Sequence, residues 1–282
     1  MTFQEFLPPP ALQPFIYHYA ILEDHRENPN GLTECSPPNL CTGLLFYYRR
    51  ESPVIITNGV YDAALPQNFI LPQCMLSHHW LYHKQISIFA IMFKPGKLRH
   101  FFPYPLLEYQ DRVLPISDCG EKRLLELEQR ILEAKNTYER IQASNDFLLQ
   151  RLRCTDPYMD LIDRMLKQLF VMPGSHINEL ALGVKISDRH FRRLFEREVG
   201  LSPKAWQKLA RFTQAMQMLQ RGDFNKLSDV AYACGYYDQT QFINQFKYFT
   251  QVTPAQFLKE PHPITELTAH RAEVVDKRLL QR

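Results

Sequence analysis

One sequence pattern occurs twice in this chain, as INELALGVKISDRHFRRLFEREVGLSPKAW at residues 177–206 and as LSDVAYACGYYDQTQFINQFKYFTQVTPAQF at residues 227–257. Ile177 aligns with Leu227 at an offset of 50 residues, and Phe195 aligns with Phe246 at an offset of 51. One residue has therefore been inserted in the second turn. A repeat at a fixed spacing indicates one supersecondary unit used twice, here within Gly174–Lys259.

Each copy has the pattern of a helix-turn-helix, with a short helix, a turn and a second helix that begins after a capping residue, Ser187 or Asp238. In the first copy, the second helix divides into an apolar face and a basic face at about 100° per residue. The apolar face carries Phe191, Leu194 and Phe195, and the basic face carries Arg189, Arg192, Arg193 and Arg197. Arginine donates two hydrogen bonds to guanine and also neutralises phosphates, so this face suits a DNA major groove. The alternative is a solvated face, with local ion pairs to Glu196 or Asp188.

The second copy has a chemically different second helix. Its apolar face carries Phe242, Ile243 and Phe246, and its polar residues are Gln239, Thr240, Gln241, Asn244 and Lys247. Amide side chains can bond adenine, threonine can contact a thymine methyl group, and lysine can reach a phosphate. We therefore predict base contacts from the first four, with Gln245 as a further candidate on the same face, and phosphate contacts from Lys247 and Tyr248. Plain solvation of the amides is the alternative.

A long amphipathic helix is predicted between the two copies, from Pro203 to Gln220. Ser202 is its predicted cap, and proline suits a first helical turn. Its length of about 27 Å, at ~1.5 Å per residue, would hold the two units apart. Successive major-groove faces on one side of B-DNA lie about 34 Å apart, so one chain could place two helices in adjacent grooves.

Charge is unevenly distributed along the 282 residues, whose net charge is +3. Gly174–Lys259 holds 12 Lys and Arg against 7 Asp and Glu, whereas the remainder holds 21 against 23. A basic module attached to a near-neutral partner is typical of nucleic-acid-binding proteins. No apolar run approaches a membrane span, and the N-terminus lacks a signal pattern, so we expect a cytoplasmic protein. Six scattered cysteines without CxxC spacing indicate free thiols rather than a disulfide framework or a zinc site.

The first 115 residues or so are rich in proline, and short apolar runs lie between the prolines. The best candidate strands are Gly43–Tyr48, Val54–Thr57, Phe69–Leu71 and Ile86–Phe93. This pattern favours an antiparallel sandwich or barrel. The run Leu12–Leu22 fits either a strand or a helix.

Two groups in this half are candidate binding residues. Phe46, Tyr48, Trp80 and Tyr82 could line a small-molecule effector pocket, although each is also a candidate core residue. His78, His79 and His83 suggest a metal, but adjacent histidines point to opposite faces of a strand and no nearby glutamate completes a ligand set. We therefore predict no metal site and no cofactor.

Residues 121–152 carry an apolar stripe spaced by three and four, with a break at Lys135-Asn136-Thr137 that predicts two antiparallel helices. The stripe comprises Leu124, Leu127, Ile131, Ala134, Tyr138, Ile141, Asn145, Leu148 and Leu152. A homodimer seam is the favoured interpretation, and packing along the chain's own sheet is the alternative. A further amphipathic helix is predicted at 156–170.

Gly174–Lys259 resembles the DNA-binding domain of the AraC/XylS family of bacterial transcription regulators. The resemblance rests on Ile177, Leu180, Ala181, Ser187, Phe191, Arg193, Phe195, Gly200, Ser202 and Pro203, and on Asp229, Ala231, Gly235, Tyr236, Phe242, Phe246, Lys247, Thr253, Pro254 and Phe257. More weakly, the N-terminal half resembles the family's cupin-like effector domains. Asn244 departs from the family, which usually has arginine at that position.

The resemblance implies an α+β protein with three parts: a cupin-like sensor and dimerisation domain at 1–152, a double helix-turn-helix domain at 153–260 and a tail at 261–282. It implies a sequence-specific transcription regulator, most simply an activator, on double-stranded promoter DNA in the bacterial nucleoid. RNA polymerase and an unidentified effector are the implied partners. The alternative function is a cupin-like metal enzyme with an appended DNA-binding module, but no cysteine or histidine motif here supports catalysis, so we expect no enzyme activity.

Overall fold

The computed structural model describes residues 1–38, 40–102, 106–152, 159–172 and 187–259. Two compact units are present. The first comprises Met1–Glu34, Cys41–Gln73 and His79–Thr155, and the second comprises Cys35–Leu40, Cys74–His78 and Asp156–Arg282. Strands dominate the first unit and helices the second, which confirms the predicted α+β class.

Within the described residues, ten strands form two antiparallel sheets. They are β1 (Thr2–Phe6), β2 (Ile16–Asp24), β3 (Leu32–Ser36), β4 (Thr42–Arg50), β5 (Ile55–Thr57), β6 (Asp62–Ala64), β7 (Asn68–Leu71), β8 (His78–Tyr82), β9 (Ile86–Phe93) and β10 (Leu114–Pro115). The larger sheet has the order β1-β2-β9-β4-β7-β10, and the smaller has the order β3-β8-β5-β6. All four predicted strands are confirmed. The run Leu12–Leu22, which fitted either a strand or a helix, lies in strand β2 from Ile16 onwards.

The two faces of the larger sheet have different partners. Along β4, Leu44 and Phe46 belong to the core that the sheet shares with a helical pair, while Leu45 and Tyr47 point to the other face. Strands β2 and β9 alternate in the same way, with Tyr19 and Phe89 stacked in the helix-facing core at 5.9 Å. Both faces are buried along the centre of the sheet, so β4 is apolar from Gly43 to Tyr48 and β9 is apolar at every position except Ser87.

The predicted helical pair is confirmed as α1 (Lys122–Glu133) and α2 (Thr137–Arg151). The Asn136 side chain accepts a hydrogen bond from the Glu139 N–H at 3.0 Å, so asparagine begins the second helix after the break.

The favoured interpretation of the apolar stripe at residues 121–152 as a dimer seam is wrong for its central residues. Leu124, Leu127, Ile131 and Leu148 are at most 1% exposed within the core of their own sheet. The exposed apolar face of a sheet needs a cover, and this stripe provides it.

The second unit contains the remaining described helices. They are α3 (Met159–Val171), α4 (Asp188–Val199), α5 (Pro203–Arg221), α6 (Leu227–Ala233), α7 (Gln239–Thr250) and α8 (Pro254–Lys259). The predicted helices at 156–170 and at Pro203–Gln220 correspond to α3 and α5. The first helix of the first repeat, with Ile177, Leu180 and Ala181, and the tail after Lys259 lie outside the described residues.

Candidate nucleic-acid interface

Helix α4 is positioned by a cap at each end and by an aromatic face between them. Ser187 Oγ accepts a hydrogen bond from the His190 N–H at 3.2 Å, and Gly200 ends the helix with a left-handed backbone at φ 79°. Phe191 and Phe195 are fully buried, and the Phe195 ring meets Trp206 edge-on at 6.4 Å. The helix is thereby held by one face, and the opposite face is open to solvent.

The four arginines of α4 divide into two kinds. Arg192 Nε donates to Asp188 Oδ2 at 2.8 Å, one turn earlier, and Arg197 donates to Glu198 Oε1 at 2.8 Å. Arg189 and Arg193 lie opposite the buried face and are exposed. Neither guanidinium forms an ion pair with any residue that the structure describes. The local pairing considered for Arg193 is thus not formed there, and Arg189 and Arg193 are available to an external anion.

Helix α7 repeats this construction with different residues. Asp238 Oδ1 accepts from the Gln241 N–H at 2.7 Å, and Gln251 ends the helix with a left-handed backbone at φ 65°. Phe242, Phe246 and Phe249 are fully buried. Thr240 and Asn244 are exposed on the side opposite these rings, with Lys247 beside them. We call α4 and α7 the reading helices.

Gln241 has a structural role that the sequence did not indicate. Its Oε1 accepts a hydrogen bond from the Tyr237 N–H at 2.9 Å, while its own N–H donates to Asp238. The arrangement is similar to a capping box, except that the Gln241 side chain bonds the N–H of Tyr237, the residue before the cap, rather than that of Asp238 itself. The side chain retains two N–H donors and one lone pair on its oxygen, so it can still contact a base edge. Gln239 is exposed in the first turn of α7, away from the outward line through Thr240 and Asn244.

Helix α5 joins the cores of the two reading helices. Trp206, near its start, contacts Phe195 of α4, and Phe212 contacts Phe246 and Phe249 of α7 at 5.5 and 4.6 Å. The 19 residues of α5 span about 28 Å at ~1.5 Å per residue. A continuous helix packed against both aromatic cores gives the reading helices a fixed separation.

The four effector-pocket candidates lie on two different surfaces. Phe46 and Tyr48 pack in the core under the helical pair, where the Arg140 guanidinium covers the Tyr48 ring at 3.9 Å. Trp80 stacks on Phe69 at 6.4 Å, on the other side of β4. The structure therefore does not bring the four side chains into one pocket, because Phe46 and Tyr48 share the helix-facing side of β4 while Trp80 and Tyr82 belong to β8 of the smaller sheet.

Tyr82 instead belongs to a buried polar network. Its hydroxyl donates to Asp24 Oδ2 at 2.6 Å, and Arg26 donates to the same carboxylate at 2.6 Å. Burial alone would raise the pKa of Asp24, but the hydrogen bonds from Arg26 and Tyr82 outweigh it and lower the pKa to about 2. The same burial and the neighbouring carboxylate raise the pKa of Tyr82. The network is a satisfied structural charge cluster in the first unit.

The described residues contain no group of three His, Cys, Asp or Glu that could hold a metal ion. Cys234 is buried, and burial raises the pKa of its thiol to about 12. A reactive cysteine has a lowered pKa and access to solvent, and Cys234 has neither. In the described part of the chain, no helix has the length and apolar character needed to cross a membrane.

Sequence reasoning did not single out Lys204 and Lys208, which lie one turn apart on α5. Both are exposed, and both border the surface beside Thr240 and Asn244 of α7. Their spacing of four residues at the start of a capped helix was the available signal.

Comparison with known proteins gives two family matches. Residues 180–260 match the model of a helix-turn-helix domain, and residues 4–115 match that of a domain of unknown function. An uncharacterized HTH-type transcriptional regulator of Haemophilus influenzae is 30% identical over 84 residues, which is 30% of this chain and 28% of that protein. The HTH-type transcriptional regulator NimR of Escherichia coli is 34% identical over 73 residues, 26% of each chain. The chain thus spans about a quarter of the length of these relatives.

Among solved structures, ToxT from Vibrio cholerae is 10% identical, with 86% of this chain and 98% of that chain covered and a TM-score of 0.49. The DNA-binding domain of AdpA, in complex with a target DNA, is 25% identical, with 37% and 92% covered and a TM-score of 0.33. The match to the helix-turn-helix model, at residues 180–260, covers most of the repeat and both reading helices. Residues 180–260 are therefore an AraC-type helix-turn-helix domain of the kind found in HTH-type transcriptional regulators.

Proposed function

We propose that this protein is a sequence-specific regulator of transcription that inserts α4 and α7 into adjacent major grooves of a promoter. One observation carries the proposal: two capped helices of equal length are fixed to the aromatic core of one spacer, α5, and turn polar outer faces to solvent. A spacer of about 28 Å, together with the width of the helices, suits a groove repeat of about 34 Å.

Base contacts are proposed from the outward side chains of each reading helix. Arg189 and Arg193 suit guanine, whose O6 and N7 accept both donors of one guanidinium. Thr240, Asn244, Gln239 and Gln241 suit A·T pairs, because an amide can bond adenine and a threonine methyl group can meet thymine. Arg192, Arg197 and Lys247 are proposed phosphate contacts, the two arginines after release from their carboxylate partners.

Selection of bound DNA from a random pool tests this function directly. The full chain is expected to enrich a split site with two short boxes about one helical turn apart, one rich in G·C pairs and the other in A·T pairs. Enrichment of a single box, or of no sequence, would contradict the proposal. A chain carrying Arg193→Ala and Asn244→Ala together is the control, and it should enrich neither box.

We further propose that residues 1–152 form the effector and dimerisation part, 153–260 the DNA-binding part and 261–282 a tail, in a protein that acts in the bacterial cytoplasm. Activation would follow from contact with RNA polymerase. Because the central seam is buried, a dimer contact through 121–152 would use exposed residues of α1 and α2, such as Leu125, Tyr138 and Leu149. Transcription from the selected site with purified polymerase should rise on addition of the protein. An unchanged or reduced yield would contradict activation.

A further inference from the structure

An open cleft of about 760 Å³ lies beside the second reading helix, between α7 and the first two turns of α5. Lys204 and Lys208 line the α5 wall, and Thr240, Gln241 and Asn244 line the α7 wall. The residues proposed to read bases therefore border the same cavity as two cationic side chains. The cleft is open to solvent, and its lining combines polar side chains with apolar surface that includes Met75. An open, partly polar cleft suits an extended ligand better than a compact apolar one.

The two lysines are available to bind an anion. Lys204 and Lys208 are exposed on one face of α5, and neither ammonium forms an ion pair with a residue in the described ranges. One carboxylate, that of Asp238, also lines the cleft. It accepts the Gln241 N–H at 2.7 Å as the cap of α7, so it already has a structural partner. The two lysines outnumber this single carboxylate.

The second reading helix needs cations from outside itself. Its own charged residue, Lys247, lies away from the cleft, which Gln241 borders on the other flank of α7. A helix in the major groove lies between two phosphate backbones, because the groove is only about 12 Å wide. Lys247 can serve the backbone on one side of α7. Lys204 and Lys208, across the cleft, are placed to bind phosphates of the backbone on the other side of α7.

We propose that this cleft binds the sugar–phosphate backbone of one DNA strand at the second box, with Lys204 and Lys208 each donating to a phosphate. The inference rests on the proposed DNA-binding function and adds a ligand contact from the spacer helix. In this arrangement α5 does more than hold the reading helices apart. It supplies the electrostatic attraction that the amide-rich face of α7 lacks, while Thr240 and Asn244 face the base edges.

The test compares Lys204→Gln/Lys208→Gln with the wild type in the full chain. Affinity is measured at several salt concentrations, on the selected site and on a scrambled duplex. Each phosphate contact contributes about 0.9 to the slope of log affinity against log salt, so the double variant should lower the slope by about 1.8. Affinity should fall on both duplexes by the same factor, since phosphates carry no sequence information. Lys204→Arg/Lys208→Arg should retain the wild-type slope.

Lys259→Gln is the control, since it removes one positive charge, where the double variant removes two, from an exposed residue of α8 outside the cleft. A slope for the double variant equal to that of Lys259→Gln would overturn the inference alone. A loss of affinity confined to the selected site would overturn it too, because it would mean that the lysines read bases. Failure of the wild-type chain to bind any duplex would overturn the proposed function itself. Equal thermal unfolding of all four chains establishes that folding is intact.

Discussion

Helices α4 and α7 share a scaffold and differ in the chemistry that they present. Both have 12 residues, both begin at a side-chain cap, and both bury phenylalanines at equivalent positions. At the outward positions, Arg189 and Arg193 of the first helix correspond to Thr240 and Asn244 of the second, at the offset of 51. The buried positions thus preserve one supersecondary unit, while the outward positions are free to differ. One unit can in this way supply two unlike surfaces to one duplex.

The largest expected effect tests whether the two scaffolds are energetically equivalent. Phe195→Ala and Phe246→Ala each remove a fully buried ring, and each should lower the free energy of unfolding of the second unit by about 3–5 kcal/mol. Urea unfolding followed by the fluorescence of Trp206 measures this. Tyr237→Ala is the control, since that side chain is 86% exposed and its loss should change little. If one substitution lowered the free energy of unfolding several times more than the other, one helix-turn-helix unit would dominate the stability of the fold.

The next effect concerns base discrimination. Arg193→Ala should weaken binding by about 1–3 kcal/mol through the G·C-rich box, and Asn244→Ala should do the same through the A·T-rich box. Binding to duplexes that are altered one box at a time separates the two losses. Arg197→Ala serves as a control on α4, because loss of a proposed phosphate contact should weaken binding to every duplex equally and leave discrimination between the boxes unchanged. If each variant lost discrimination equally at both boxes, the assignment of one helix to one box would be wrong.

Substitutions at the C-terminal ends of α4 and α7 should have smaller effects on stability, and the two effects should be opposite in sign. Gly200 and Gln251 occupy equivalent left-handed positions, which cost a residue with a Cβ atom about 1–2 kcal/mol. Gly200→Gln should therefore destabilise the second unit by about that amount, and Gln251→Gly should stabilise it by a similar or smaller amount. Thermal unfolding of the two variants measures both changes. A loss of stability in Gln251→Gly would mean that the bond from the Gln251 side chain to the Tyr248 carbonyl outweighs the backbone strain.

The smallest effect separates paired from available arginines. Asp188→Asn breaks the exposed ion pair with Arg192, which should reduce stability by about 0.2–0.5 kcal/mol. Arg192 then no longer has to leave a carboxylate partner before it contacts its phosphate, so the affinity for DNA should rise while the number of phosphate contacts, and with it the salt slope, stays the same. Thermal unfolding and binding at several salt concentrations check the two parts. A weaker salt dependence in this variant would show that Asp188 orients Arg192 for DNA rather than withholding it.

The sequence was sufficient where the signal was local and periodic. The offset of 51 predicted both reading helices, because capping residues and buried phenylalanines recur at equivalent positions. The strands β4 and β9 were predicted from continuous apolar runs, since both faces of their sheet are buried. Strand β8 was not predicted, because the run His78–Tyr82 lacks the continuous apolar character of β4 and β9 and suggested only metal and pocket candidates.

The sequence was insufficient where a side chain had several partners within reach. The stripe with Leu124 and Leu127 specified an apolar face but not what covers it, and the chain's own sheet does so. The capping bond of Gln241 depends on the position of the Tyr237 N–H, which only the folded turn defines. Pairing of Arg192 with Asp188 rather than Arg193 with Glu196 depends likewise on side-chain geometry. Spacing alone could not choose between them.

The most direct test of the inequality between the reading helices is the salt dependence of DNA binding by two double variants. Arg189→Ala/Arg193→Ala should lower the slope of log affinity against log salt by up to about 1.8, because each guanidinium at the groove also displaces counterions. Thr240→Ala/Asn244→Ala should weaken binding to the selected site and leave the slope at its wild-type value. Equal reductions in slope for the two variants would contradict the division between a cationic α4 and an uncharged reading face on α7.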